Sequence, residues 1–93
     1  LSSAAERDVK RALDYYLREA GPEIADDFIN RLEAKINQIK KNPESCRVVA
    51  KGLRSVELGR FPYSVVYRIV NKSLIRVTTV RHHIQHPDFG LRR

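Results

Sequence analysis

The chain has 93 residues, of which 42% are hydrophobic and 31% are charged. This balance is typical of a globular protein rather than a disordered one, and the length predicts a single domain over residues 1–93. No apolar run approaches the roughly 20 residues that a membrane-spanning helix needs. The single cysteine, Cys46, excludes an internal disulfide framework. We therefore expect a cytoplasmic protein without membrane contact.

The positive charge is concentrated in the second half of the chain. The net formal charge is +7. Residues 1–46 carry eight Lys/Arg and nine Asp/Glu, a sum of −1, whereas residues 47–93 carry ten Lys/Arg and only two acids, a sum of +8. A solubilising surface would not need this segregation. The pattern therefore indicates a surface for an anionic partner, either nucleic acid or an acidic protein segment.

Two amphipathic helices are predicted in the first half, because apolar residues recur there at helical spacing. Ser3 and Glu6 match a capping box, with Ser3 as the N-cap, and predict a first helix over residues 4–19. Gly21-Pro22 breaks this helix and suits the start of a second one, which Asn42-Pro43 ends. The short link between the helices predicts an antiparallel helical hairpin.

The second half contains strand patterns. Residues 55–59 alternate between apolar and polar, and residues 63–70 are rich in β-branched and aromatic side chains. An Asn-Lys-Ser turn separates them from residues 74–80, which completes a β-hairpin. Strict alternation in this last strand places Val77 and Val80 on opposite faces. The predicted fold is α+β, with the N-terminal helical hairpin packed on a small antiparallel sheet.

The three histidines, His82, His83 and His86, raise the question of a metal site. His82 and His86 would share one face of a helix, but Pro87 disfavours a helical conformation at His86. No second group of cysteines, histidines or carboxylates lies close by in the sequence, and no Gly-rich phosphate loop occurs. We therefore expect neither a metal site nor a cofactor.

RNA cleavage is the catalytic option that the residues leave open. Attack of a 2′-hydroxyl on a phosphodiester needs a base, an acid and cations around the transition state. The second half could supply these groups from Arg81, His82, His83 and His86, together with Arg54, Arg60 and Arg68. The alternative is that the same groups only bind an anion or an acidic peptide.

Three short motifs occur in order along the second half. They are Gly52-Leu53-Arg54 ahead of a strand, a Tyr-x-x-x-Tyr strand from Tyr63 to Tyr67, and Val80-Arg81-His82 followed by Pro87. With the two helices before them, they resemble the RelE/ParE superfamily of small bacterial toxins over nearly the whole chain, and its ParE branch more closely.

This resemblance implies the toxin of a type II toxin–antitoxin module. Its partner would be an antitoxin, expected to be ParD-like with a ribbon-helix-helix DNA-binding part, in a hetero-oligomer with the toxin. The family also implies a short strand before the first helix. Because this sequence enters the first helix almost directly from Leu1, we expect that strand to be missing from the chain.

The branches of the superfamily differ in target. RelE-like members cleave mRNA on the ribosome, and ParE-like members poison DNA gyrase. RelE-like nucleases commonly carry an arginine after the first aromatic of the Tyr-x-x-x-Tyr strand, where this chain has Ser64, and a tyrosine near the position of Phe89. The resemblance therefore implies a gyrase poison without enzymatic activity. An mRNA endonuclease and a degenerate toxin that only binds its antitoxin are the alternatives.

The expected contact residues all lie in the basic half. We expect anionic groups of the antitoxin or target to bind Lys51, Arg54, Arg60, Arg68, Arg81 and His82, and the target to contact a C-terminal segment with Pro87, Phe89, Arg92 and Arg93. In the nuclease alternative, the catalytic groups would be Arg81, His82, His83 and His86.

Overall fold

A computed structural model describes residues 1–83 as two helices followed by four strands. The elements are α1 Ser3–Glu19, α2 Pro22–Lys41, a single 3₁₀ turn Pro43–Ser45, β1 Arg47–Ala50, β2 Leu53–Glu57, β3 Tyr63–Asn71 and β4 Leu74–His82. The strands form one antiparallel sheet in the order β1-β2-β3-β4. The predicted α+β arrangement is confirmed, and β1 is a strand that the sequence patterns did not predict.

The helical hairpin covers one face of the sheet. Four aromatic rings join the two layers, with ring centroids 5.4 Å apart between Phe28 and Phe61 and 5.3 Å apart between Phe28 and Tyr63, and with Tyr16 at 5.2 Å from Phe61. Phe28 is completely buried. Edge-to-face contacts of this kind add to the burial of the rings. The core therefore lies between α1, α2 and the inward side chains of β2, β3 and β4.

The start of α1 differs from the prediction by one residue. Ser2, rather than Ser3, is the N-cap, because its hydroxyl oxygen accepts a hydrogen bond from the backbone N–H of Ala5 at 3.1 Å. The same hydroxyl donates to the carbonyl of Thr78 at 2.9 Å, and the Ser2 backbone N–H donates to the carbonyl of Val77 at 2.9 Å. These bonds to β4 select Ser2 over its neighbour, so the predicted capping box with Ser3 is wrong.

A β-bulge in β4 changes which side chains point inward. Val66 of β3 pairs with Thr79, and the next residue, Tyr67, pairs with Val77, so that Thr78 is an extra residue on β4. Val77 and Val80 are consequently both buried, at 3% and 2% exposure. The strict alternation predicted for this strand, which placed these two valines on opposite faces, is therefore wrong.

No helix within residues 1–83 has both the length and the apolar character needed to cross a membrane.

Replacement of the capping serine tests the observed start of α1. Ser2→Ala removes the bond to Ala5 and the bond to Thr78, so we expect the free energy of unfolding to fall by about 1 kcal/mol or more. Ser3→Ala is the matched control and should cost less than about 0.5 kcal/mol, because Ser3 is exposed. Urea denaturation measures both, and equal losses in the two variants would contradict the assignment of the cap.

Candidate functional site

The face of the sheet that points away from the helices is the candidate site. Along β3, Tyr63, Val65 and Tyr67 belong to the core that the helices cover. The alternate residues, among them Ser64 and Arg68, therefore point to the opposite side. Within residues 1–83, no helix or strand packs on that side, where Arg68 is exposed but Val66 is buried at 4% exposure.

Cross-strand pairing places four arginines on this face of the sheet. Arg47 pairs with Ser55, which pairs with Val66, and Arg81 pairs with Ser64. Arg68 pairs directly with Arg76. Since cross-strand partners share a face, this surface, here called the arginine face, is defined by Arg47, Arg68, Arg76 and Arg81, all of which are exposed.

Arg47 and Arg76 were not among the predicted contact residues. The faces of β1 and β4 could not be assigned from sequence, because β1 was not predicted and the bulge in β4 leaves no mark in the alternation pattern. In an unbroken strand, Arg76 and Arg81 would point to opposite faces, since they are five residues apart. The extra residue, Thr78, brings them to the same face.

The Arg68–Arg76 pair is unfavourable on its own. Like charges directly opposite each other on neighbouring strands cost roughly 0.2–1 kcal/mol. Among residues 1–83, the carboxylates that form ion pairs are Glu19 and Asp27, and neither contacts this pair. The two arginines therefore add to the positive potential of this face, which a bound anion would neutralise.

The turn between β1 and β2 extends this positive region. Gly52 has a φ of +73°, and a side chain at this position would lie 3.3 Å from Nη1 of Arg68. The guanidinium of Arg68 thus lies close over the turn, where glycine is favoured by both the backbone conformation and the space. Lys51, the preceding residue, is exposed. The predicted contact residues Lys51 and Arg68 are therefore neighbours at one end of the arginine face.

At the other end of the face, Ser64 and His83 interact. Their Oγ and Nε2 atoms are 2.9 Å apart, and the backbone N–H of His83 donates to the carbonyl of Pro62 at 2.8 Å. Arg81 is the cross-strand partner of Ser64. A serine, an imidazole and a guanidinium are thus grouped here, and the neighbouring β2 residue Glu57 pairs with Ser64 from the other side.

His82 points the opposite way from His83. Its ring meets the Tyr63 ring edge-on at a centroid distance of 4.8 Å. Burial, reinforced by the neighbouring His83, lowers the pKa of His82 below its ordinary value of 6.5. Within residues 1–83, no group of three or more His, Cys, Asp or Glu side chains could hold a metal ion. His86 lies outside the described residues.

His82 lines a groove between α1 and the end of β4. The groove has a volume of about 420 Å³ and is lined by Asp8, Arg11, Ala12, Tyr15, Arg18, Tyr63, Val80 and His82. Inside the groove, Oδ2 of Asp8 accepts a hydrogen bond from the backbone N–H of Val80 at 2.9 Å. Arg11 and Arg18 stand at its exposed side. The groove can therefore hold a side chain that combines an apolar body with a carboxylate.

Two predicted anion-binding residues have partners inside the chain. Arg54 Nη1 donates to the carbonyls of Cys46 at 2.7 Å and Glu44 at 3.2 Å, which ties the segment after α2 to β2. Arg60 forms an ion pair with Asp27 of α2. Both guanidinium groups thus contribute to the fold, and Lys51, Arg68 and Arg81 remain exposed. The predicted contacts Pro87, Phe89, Arg92 and Arg93 lie outside the described residues.

The structural part played by Arg54 can be measured. Arg54→Ala leaves the two carbonyls without their charged donor, and we expect the free energy of unfolding to decrease by about 1.5 kcal/mol. Arg47→Ala is the matched control, because Arg47 is an exposed arginine that makes no such hydrogen bond within residues 1–83. This change should lower the free energy of unfolding by less than about 0.5 kcal/mol. An Arg54→Ala variant as stable as Arg47→Ala in urea would contradict this interpretation.

The pH dependence of stability should report on His82. Its pKa is lower in the folded chain than the value of 6.5, so the unfolded chain binds this proton more readily. The stability that His82 contributes is therefore present above pH 6.5 and decreases as the pH falls below it. Urea denaturation between pH 7.5 and 5.5 should show this decrease in the wild type and in His83→Gln, but not in His82→Gln. An unchanged pH dependence in His82→Gln would contradict it.

Comparisons with known proteins agree with this fold. One solved structure, described as "Chromosomal ParDE TA system from P. aeruginosa", has a chain with a TM-score of 0.74 and 21% identity, covering 87% of this chain and 89% of that chain. At this identity the likeness shows a shared fold. Curated proteins gave no match. Residues 1–87 match the family described as "ParE toxin of type II toxin-antitoxin system, parDE". The chain therefore belongs to the ParE toxin family of type II toxin–antitoxin systems.

Proposed function

We propose that this toxin poisons DNA gyrase by binding, without being an enzyme itself, and that a ParD-like antitoxin holds it inactive. Membership of the family makes the chain the toxin component of a type II module and implies an antitoxin partner. What we propose beyond this is that the target is DNA gyrase and that the antitoxin is ParD-like.

The proposal rests mainly on the neutral side chain of Ser64 on the outward face of β3. Ser64 stands where RelE-like nucleases commonly have an arginine, and its hydroxyl is 2.9 Å from the His83 ring. This position therefore carries a small neutral hydroxyl in place of a cation that could stabilise a pentavalent phosphate. In addition, Phe89 has no hydroxyl where such nucleases tend to carry a tyrosine. A binding function fits these residues better than phosphodiester cleavage.

The groove beside α1 supports the antitoxin part of the proposal. Its lining combines the apolar side chains of Ala12 and Val80 with the guanidinium groups of Arg11 and Arg18. Burial raises the pKa of Tyr63 in the same groove to about 12, so its hydroxyl remains protonated at neutral pH. An acidic, amphipathic tail is the partner that such a lining would recognise.

One observation favours the nuclease alternative. Glu57, Ser64 and Arg81 form a row across three strands, and His83 contacts Ser64. A carboxylate, an imidazole and a guanidinium on one surface are the groups that acid–base cleavage of RNA requires. Of the four catalytic residues expected under this alternative, Arg81 belongs to this row and His83 contacts it, while His82 points to the other side of the sheet.

The gyrase proposal is tested with purified gyrase, supercoiled and relaxed plasmid, and purified toxin. We expect the toxin to inhibit supercoiling and to increase the amount of cleaved plasmid trapped with the enzyme. The product of the neighbouring reading frame, added as the candidate antitoxin, should prevent both effects. Absence of any effect at saturating toxin would overturn the gyrase proposal.

The nuclease alternative makes a different prediction. Primer extension on translated mRNA after induction should show no new cuts within codons if the toxin acts on gyrase. Cuts that appear with the wild type and disappear with Arg81→Ala and His83→Ala would establish the nuclease. Normal growth on induction without antitoxin, together with inactivity in both assays, would establish a degenerate toxin.

A further inference from the structure

We propose that the arginine face binds the phosphate backbone of duplex DNA, so that the toxin contacts the DNA held by gyrase as well as the enzyme. The choice of duplex DNA rests on the proposed function, because gyrase acts on a duplex. The binding itself is a property of this face and can be measured without gyrase.

The charge on the face is the first argument. Arg47, Arg68, Arg76 and Arg81 are exposed, and the ion pairs found among residues 1–83 include none of them. Along the four strands, Glu57 is the acidic residue on this face. The face therefore presents several cations with little compensation, as expected of a surface that replaces the counterions of DNA.

The placement of the cations is the second argument. Arg68 and Arg76 are direct cross-strand partners, so both cations lie on this face and a bound phosphate would offset their charge. Lys51 extends this end of the face through the turn at Gly52. A bound polyanion would thus be favoured at this end of the face.

The spread of the cations distinguishes DNA from an acidic peptide. Arg76 and Arg81 are five residues apart on β4, which corresponds to about 17 Å along a strand. Arg47 lies on β1, three strands away from β4, which corresponds to about 14 Å across the sheet. One extended peptide can follow only a single line across such an area. A duplex presents phosphates from two strands, with one charge per roughly 1.7 Å of axis, and can contact cations spread in both directions.

The test is fluorescence anisotropy with a labelled duplex of about 20 base pairs over a range of salt concentrations. The variant is Arg68→Ala/Arg76→Ala, and the control is Arg7→Ala/Lys10→Ala, which removes the same charge from exposed positions of α1. We expect roughly tenfold weaker binding for the first variant at about 100 mM salt, and a slope of log K against log salt reduced by about 1.8, or about 0.9 per phosphate contact. The control should bind nearly as the wild type does.

Folding should not obscure the result. Because Arg68→Ala/Arg76→Ala removes a like-charge pair, this variant should be at least as stable as the wild type in urea. Equal weakening of DNA binding in the variant and the control would overturn the proposal, because only net charge would then matter. Binding of poly-L-glutamate as tight as that of DNA, with the same dependence on Arg68 and Arg76, would also overturn it in favour of an acidic protein partner.

The gyrase assay separates this proposal from the proposed function. If Arg68→Ala/Arg76→Ala lost DNA binding but still poisoned gyrase as the wild type does, contact with gyrase-bound DNA would be overturned and gyrase would remain the target. If the wild type bound DNA through this face but had no effect on gyrase, the proposed target would be overturned and the DNA-binding face would be supported.

Discussion

The packing of four aromatic rings, Tyr16, Phe28, Phe61 and Tyr63, against one another is the interaction on which the rest of the structure depends. It joins the helical hairpin to one face of the sheet, and in residues 1–83 there is only this one helical layer. Most inward positions of the strands are consequently apolar, whereas the outward positions include Arg68, Arg76 and Arg81. The same packing therefore produces both the core and the face that presents the arginines, on which no helix or strand of residues 1–83 packs.

The bulge at Thr78 determines which residues that face presents. It allows Val77 and Val80 to be buried together and brings Arg76 to the same side as Arg81. The N-terminal residue Ser2 is bonded to the carbonyls of β4 at this point, so the bulge, the start of α1 and the edge of the sheet form one unit. Packing, capping and surface charge are thus coupled through a single irregular residue.

Patterns of hydrophobicity and turn residues were enough to predict both helices, the hairpin of β3 and β4, and the fold class. The strand β1 was missed because Arg47–Ala50 is short and all four of its residues are exposed. The contact residues were predicted by residue type and by family resemblance. Neither criterion distinguishes the exposed Arg68 from Arg54, whose guanidinium donates to carbonyls 8 and 10 residues away. Placing Arg47 and Arg76 on the arginine face requires the β-sheet register, which is a tertiary property. Alternation of side chains along β4 also places the adjacent His82 and His83 on opposite faces of the sheet, although the two are neighbours in the sequence.

We propose that the two sides of this ParE toxin bind different partners: the groove beside α1 binds the antitoxin, and the arginine face binds the target. Arginine modification with phenylglyoxal, read by mass spectrometry in the presence and absence of the gyrase–DNA complex, tests this division most directly. We expect Arg68, Arg76 and Arg81 to become protected from modification while Arg11 and Arg18 remain reactive. Protection of Arg11 and Arg18, with the arginine face still reactive, would contradict it.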